Sequence, residues 1–255
     1  TRHDISPEID VKETLDLTPI KGMDILGSYS LRDLEAEIDA FTYPYDTYEN
    51  GVFKMTYPTW GSSKAEIRGK TITKQFNIQA SYEKNIAQHY IKLMAGMQTE
   101  ELNYKSISAG RKNYHYPEYT ELVNGDASTM SNSSDRYDWA LLSYLYRLNY
   151  SYSSKYLLEI NGRFDGSSRF KKGNRWGFFP SISAGWRISE EKFFSPLRSI
   201  VDNLKLRASY GILGNQSISG YYPYTAAIGT GYNAWFDKTL TGGVAQTQLA
   251  NNNIS

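Results

Sequence analysis

Apolar and polar residues alternate with a period of two along much of the chain, and a helical period is nearly absent. Over residues 71–82, TITKQFNIQASY, Ile72, Phe76, Ile78, Ala80 and Tyr82 share one face of an extended strand. Thr71, Thr73, Gln75, Asn77, Gln79 and Ser81 share the other. Residues 89–99, HYIKLMAGMQT, repeat the pattern through Ile91, Leu93, Ala95 and Met97, and the short EKNIAQ between the two runs predicts a hairpin.

In residues 140–152, ALLSYLYRLNYSY, Ala140, Leu142, Tyr144, Tyr146, Leu148, Tyr150 and Tyr152 stand opposite Ser143, Arg147, Asn149 and Ser151. Further on, Tyr156, Leu158, Ile160 and Phe164 stand opposite Glu159, Asn161, Arg163 and Asp165. Phe178, Pro180, Ile182, Ala184, Trp186 and Ile188 then oppose Ser181, Ser183, Gly185 and Arg187, and Leu204, Leu206, Ala208 and Tyr210 oppose Lys205, Arg207 and Ser209. Residues 13–31 add a less regular strand, turn and strand.

The connections alternate in length. Short ones fall near 18–21, 83–88 and 153–155, and one of middling length spans 189–203. Long ones, rich in Gly, Ser, Asn, Tyr and charge, fall near 43–65, 106–135, 166–176 and 211–250. Antiparallel strands of about 9–11 residues joined in a short–long rhythm predict an up-and-down transmembrane β-barrel. Aromatics toward the run ends, Tyr82, Tyr152, Tyr156, Trp186 and Tyr210, suit interfacial girdles. A soluble all-β carbohydrate-binding module is the competing reading, since its strands alternate equally well.

Composition narrows the field. The 255 residues carry a formal net charge of +1, which offers no field for nucleic acid. No apolar run approaches the roughly 18 residues of a spanning helix, and mean hydropathy is −0.55. The 22 tyrosines are conspicuous, and with 0 cysteines thiol and disulfide chemistry are excluded. The first residues, TRHDISPEIDVKETLDLTPIKG, lack a leader-like basic then apolar stretch, and the last, QTQLANNNIS, are polar. The sequence therefore reads as an internal section of a longer protein.

Residues 144–170, YLYRLNYSYSSKYLLEINGRFDGSSRF, then GNRWGFFPSISAGWRISEEKFF, LKLRASYGILGNQ and YYPY resemble, in order and spacing, the SusC/RagA family of TonB-linked outer-membrane transporters. The resemblance is densest over 139–224 and thinner upstream. It implies that residues 1–255 are part of the receptor's β-barrel domain, about 8–10 strands of a 22-stranded-class barrel, with the plug domain absent. It further implies location in the outer membrane among its lipids, and energy relayed through TonB by N-terminal parts missing here. A SusD-like surface lipoprotein is the implied partner, and the implied cargo is an oligosaccharide or a peptide.

Candidate chemistry is sparse. His3, His89 and His115 have no metal spacing, and no nucleotide-binding loop or nucleophile elbow is present. Glu100–Glu101 and Glu190–Glu191 are adjacent and would point to opposite sides of a strand, so neither is an acid/base couple. No enzyme activity and no cofactor are expected. The polar residues Arg147, Glu159, Arg163, Asp165, Arg187, Lys205 and Arg207 are expected to face the lumen. The loop aromatics Trp60, Tyr114, Tyr116, Tyr119, Tyr232 and Trp235 are the candidates for contact with substrate or lid.

Overall fold

The computed structural model describes residues 2–216, 218, 221–236 and 239–250. Parts of the long segment expected over 211–250, namely 217, 219–220 and 237–238, lie outside the described residues, as does the C-terminal 251–255. The strands are β1 (Arg2–Ile5), β2 (Glu8–Ile20), β3 (Met23–Thr42), β4 (Tyr45–Glu49), β5 (Val52–Tyr57), β6 (Ser63–Ile86) and β7 (His89–Lys112). They continue with β8 (Ser131–Tyr152), β9 (Tyr156–Ser167), β10 (Trp176–Arg187), β11 (Lys205–Gly211), β12 (Ala227–Phe236) and β13 (Thr239–Gln248). Among the described residues the only helical turns are short 3-10 segments, and no helix is long and apolar enough to cross a membrane, which leaves a crossing by strands untouched.

One nine-stranded sheet runs β1-β3-β6-β7-β8-β9-β10-β11, with β2 also paired to β3, and two separate hairpins, β4–β5 and β12–β13, complete the strands. Each main-sheet strand from β6 to β11 pairs with its neighbour in sequence, the up-and-down arrangement that the connection rhythm predicts. The short connections appear at Lys21–Gly22, Ala87–Gln88 and Ser153–Lys155, and two 3-10 segments, Ile188–Glu190 and Lys192–Leu197, occupy the middling one.

Three expectations are corrected. The loop expected over 211–250 contains the β12–β13 hairpin, so Tyr232 and Trp235 stand on β12 and not in a loop. The loop expected over 43–65 contains the β4–β5 hairpin, turned at Asn50–Gly51, both with positive φ (52° and 79°). Asn-Gly between β-forming runs favours that turn because both residues tolerate the left-handed region. The loop expected over 106–135 is also shorter, since β7 continues to Lys112 and β8 begins at Ser131.

The described chain divides into two compact units. The first takes the residues up to Lys12 with Ser30–Lys74 and Leu102–Asp138. Its β3 carries Asp33, Glu35, Glu37 and Asp39 at alternate positions, facing β6 cations. Lys70 lies 2.8 Å from Asp33 and 2.9 Å from Glu35, Arg68 lies 2.7 Å from Glu37, and Lys64, only 5% exposed, pairs with Asp39. Phe41 and Tyr114 are buried against each other with ring centroids 4.9 Å apart.

The second unit takes Glu13–Tyr29, Gln75–Glu101 and the residues from Trp139 onward. Its registers sort side chains into rows across β8–β11. One face reads Leu148–Ile160–Ile182–Tyr210, Tyr150–Leu158–Ala184–Ala208 and Tyr152–Tyr156–Trp186–Leu206. The other reads Arg147–Asn161–Ser181–Gly211 and Asn149–Glu159–Ser183–Ser209. Directly opposite residues of an antiparallel pair point the same way, so one face is apolar and the other polar.

Buried apolar residues are few. Among the described residues Phe41, Tyr114, Phe170 and Phe194 are the buried large hydrophobics, whereas Tyr144, Tyr146, Phe164, Trp176, Phe178, Ile182, Leu206 and Tyr210 are all exposed. A globular protein hides such side chains. Here they form a continuous outer surface.

Aromatic rings on that surface bridge β8 to β10 over glycines of β9. Trp176 lies on Gly166, where a Cβ would stand 2.8 Å from the indole, and it stacks on Phe164 (4.8 Å, 12°) and Tyr144 (6.0 Å, 18°). Tyr146 covers Gly162 from the β8 side, its ring occupying the space of a Cβ, and it stacks on Phe178 at 6.4 Å and 17°. The two glycines are slots, and a side chain at either would evict a ring.

Candidate functional site

The polar face of β8–β10 carries a hydrogen-bond network that spans three strands. β9 presents Glu159, Asn161, Arg163 and Asp165 on one side because its polar residues fall at every second position. Arg163 donates through Nε to both oxygens of Asp165 (2.7 and 2.8 Å) and through Nη2 to Ser143 Oγ (3.0 Å). Ser143 is fully buried, so its hydroxyl is committed to that guanidinium. Asn161 accepts from Arg147 Nε (2.7 Å) and donates to Glu159 (2.8 Å) and to Ser181 Oγ (3.4 Å). These contacts tie three adjacent strands together at the side-chain level.

A recess of about 830 Å3 opens on this network, lined by Arg147, Arg163, Asp165 and Arg175, with Phe170 and Phe179 as its apolar walls. Loop 168–175 is held by Arg169, whose guanidinium sits between the rings of Trp139 (5.1 Å) and Tyr221 (5.0 Å) and donates to the Gln216 carbonyl (3.3 Å). Such cation–π stacking favours arginine over lysine.

In the connection from β10 to β11, Glu191 stands between the two 3-10 segments. Its carboxylate accepts from Tyr156 Oη (2.7 Å), Lys155 Nζ (3.1 Å) and Trp186 Nε1 (3.2 Å). Those bonds, the tyrosine's foremost, hold the Glu191 carboxyl below its ordinary range.

The seven polar residues expected on one side do share one face of β8–β11: Arg147 with Asn161, Glu159 with Ser183, Arg163 with Phe179, Asp165 with Ser143, Arg187 with Lys205, and Arg207 with Gly185. Sequence reasoning missed Ser143, Arg169 and Phe179 as parts of the site. Only the register, which sets Ser143 opposite Asp165, reveals the first.

The candidate aromatics divide. Trp60, Tyr116, Tyr119, Tyr232 and Trp235 are exposed. Tyr114 departs from the expected outward ring. It is 6% exposed, packs edge-on against Phe41, and its backbone N–H donates to Ser62 Oγ (2.8 Å). Burial also pushes its phenol up. Tyr114 anchors its loop and offers no free ring to a ligand. The exposed rings fall in different units, Trp60, Tyr116 and Tyr119 in one and Tyr232 and Trp235 in the other.

Among the described residues no cluster of three or more His, Asp or Glu could hold a metal ion. The carboxylates of Glu159 and Asp165 are engaged by Asn161 and Arg163 respectively, within the wall's own network.

No family model matches the chain. It is 34% identical over 195 residues to TonB-dependent receptor P3 of Formosa agariphila, covering 76% of this chain and 19% of that protein. It is 35% identical over 149 residues to TonB-dependent receptor SusC of Bacteroides thetaiotaomicron, covering 58% of this chain and 14% of that one. The fold superposes on the RagAB peptide importer in its closed-closed state with a TM-score of 0.82 at 21% identity, over 100% of this chain and 27% of the importer chain. The chain thus spans less than a fifth of the length of these curated relatives. Its fold is an antiparallel up-and-down β-barrel wall, and its sequence matches fall on the receptors whose motifs it shares. The chain is a section of the barrel of a SusC/RagA-type TonB-dependent receptor.

Proposed function

We propose that this section forms part of an outer-membrane importer that takes up large nutrients, oligosaccharides or peptides, with energy relayed through TonB and with a SusD-like surface lipoprotein as lid. The observation that carries the reading is the two-faced sheet. An exposed apolar surface over β8–β11, rich in stacked aromatics, backs a polar face bound by arginines and carboxylates. Lipid is the solvent that makes such a surface stable, and a hydrated lumen is the counterpart on the other side. Arg147, Glu159, Arg163, Asp165, Arg187, Lys205 and Arg207 line that lumen. Trp60, Tyr116 and Tyr119 from the loops and Tyr232 and Trp235 from the β12–β13 hairpin contact cargo or lid. A soluble carbohydrate-binding module would need another layer over the aromatic face.

The test uses the full-length receptor in its membrane, on a background without other reactive cysteines. Neighbours Ser181 and Ile182 lie on opposite faces of β10. A hydrophilic maleimide should label Ser181→Cys, and only a lipophilic one should label Ile182→Cys. Equal labelling of both by the hydrophilic reagent refutes the barrel-wall reading. Uptake of an oligosaccharide and a peptide panel by cells, with and without TonB, then decides the cargo class.

A further inference from the structure

At the short-turn end of the sheet the connections are tight and tied to one another. The Ser153 N–H donates to the Gln88 carbonyl (2.7 Å) and the Arg187 N–H to the Lys155 carbonyl (2.8 Å). In an up-and-down membrane barrel the short turns are periplasmic. The β10–β11 connection, residues 188–204, is the exception at this end, where Ala87–Gln88 and Ser153–Lys155 suffice for the neighbouring strands.

Bonds to the apolar face set its path. Trp186, opposite both Tyr156 and Leu206, belongs to the end row of that face. Glu191 accepts from the Tyr156 hydroxyl and the Trp186 indole N–H, and the Phe193 ring then meets Trp186 edge-on at 6.3 Å. The Ser189 N–H closes the base on the Leu204 carbonyl (3.2 Å), and Arg198 draws the far side back through the Ser189 carbonyl (2.6 Å). What the connection shows outward is apolar. Phe193 is 65% exposed, Leu197 50% and Ile200 80%, while Phe194 is buried. The coil continues past its 3-10 segment, with the Ile200 and Val201 N–H groups donating to the Leu197 carbonyl (3.0 and 2.9 Å). Positions 193, 197 and 200 thus recur at the intervals that keep side chains on one side of a helical coil.

We infer that residues 188–204 form an interfacial anchor, which sinks Phe193, Leu197 and Ile200 into the headgroup–acyl boundary of the periplasmic leaflet. The exposed Lys192 beside Phe193 then extends to the lipid phosphates. The inference rests on the proposed reading that the apolar face meets lipid. Lipid is the occupant because Trp186 belongs to both surfaces, the end row of the wall and the ring contact with Phe193. Aromatic rings of this kind sit at headgroup level. A protein partner would have to reach Phe193 at the very ring that the membrane already covers.

Nitroxide labelling of the full-length receptor in lipid nanodiscs tests this, on a background without other reactive cysteines. Labels on Ile200→Cys and, separately, on Leu197→Cys report two collision rates, one with oxygen, which concentrates in hydrocarbon, and one with a water-soluble nickel chelate. Both positions are exposed, so the labels leave the packing of the wall alone. Each should collide with oxygen in preference to the chelate, at a depth of about 5–10 Å inside the headgroup boundary. A label on Ile182→Cys, within the wall, is the reference for full immersion.

Free access of the chelate to the labels at Ile200 and Leu197 refutes the anchor. Shielding of both labels from both reagents refutes it too, because that is the mark of a protein partner. The Ile182 label keeps the two readings apart. Immersion at Ile182 with chelate access at Ile200 overturns the anchor alone, whereas chelate access at Ile182 overturns the barrel wall on which it rests.

Discussion

Replacing Gly162 by alanine tests the aromatic bridges directly. The new Cβ would stand where the Tyr146 ring lies, so the ring must leave Gly162 and with it the stack on Phe178. Loss of one stacked pair costs about 1 kcal/mol. Forcing Tyr146 off its rotamer adds about 0.5–1.5 kcal/mol. The expected destabilisation is therefore about 2 kcal/mol, within the range for an overpacked site. In a Tyr146→Ala background the slot is empty. There Gly162→Ala should be neutral or stabilising by about 0.5 kcal/mol, because alanine loses less backbone freedom in a strand. The assay is urea unfolding of the full-length barrel refolded into vesicles, followed by heat-modifiable gel mobility, for the wild type, both single variants and the double. A coupling of about 2 kcal/mol is expected. Equal costs for Gly162→Ala in both backgrounds, within about 0.5 kcal/mol, would refute the slot.

Other outcomes follow from single contacts. Tyr114→Phe should leave stability unchanged or raise it by up to about 1 kcal/mol, since the buried hydroxyl has no partner in the structure, whereas Tyr114→Ala should cost about 3–5 kcal/mol in thermal unfolding. Ser143→Ala should cost about 1 kcal/mol in the same assay, because Arg163 loses a fully buried acceptor. The Glu191 carboxyl is lower in the folded protein than in the unfolded chain, so its contribution is complete above the ordinary carboxylate range and is lost as pH falls through the folded value. Fluorescence of Trp186, in a receptor where it is the sole reporting tryptophan, should hold steady from neutral pH down to that range and change below it. Glu191→Gln should show the changed signal already at neutral pH.

Where one face is apolar and the other polar, the fold is legible. Along β9 and β10 every second residue is apolar, and both faces of these strands come out as the alternation reads. The signal vanishes in stretches that are polar on both faces. Ser131–Asp138, SNSSDRYD, carries no apolar stripe, so the start of β8 hid inside an expected loop. Its cohesion comes from the backbone ladder and from polar contacts such as Ser108 Oγ to Ser133 Oγ at 2.6 Å, neither of which leaves a hydrophobic period. The Asn50–Gly51 pair is a legible hairpin signal, although the tyrosine-rich run around it blurs the alternation of its two strands. At the site, the polar character of β9 was evident from sequence. Which partner each group takes was not, because Ser143 and Arg163 are 20 residues apart and meet only through register. Tyr114 shows the converse limit, since an aromatic in a polar loop looks like a binding residue until its neighbour Phe41 is known.

The scarcity of buried apolar side chains has a thermodynamic corollary. A protein that keeps its large hydrophobics on the outside has delegated its core to the surrounding hydrocarbon, so the bilayer is a component of the folded state. Thickening or thinning that bilayer would then act on this wall as a mutation acts on a globular interior. It would strand or expose whole rows of rings at once, at a fraction of a kcal/mol for each ångström of mismatch.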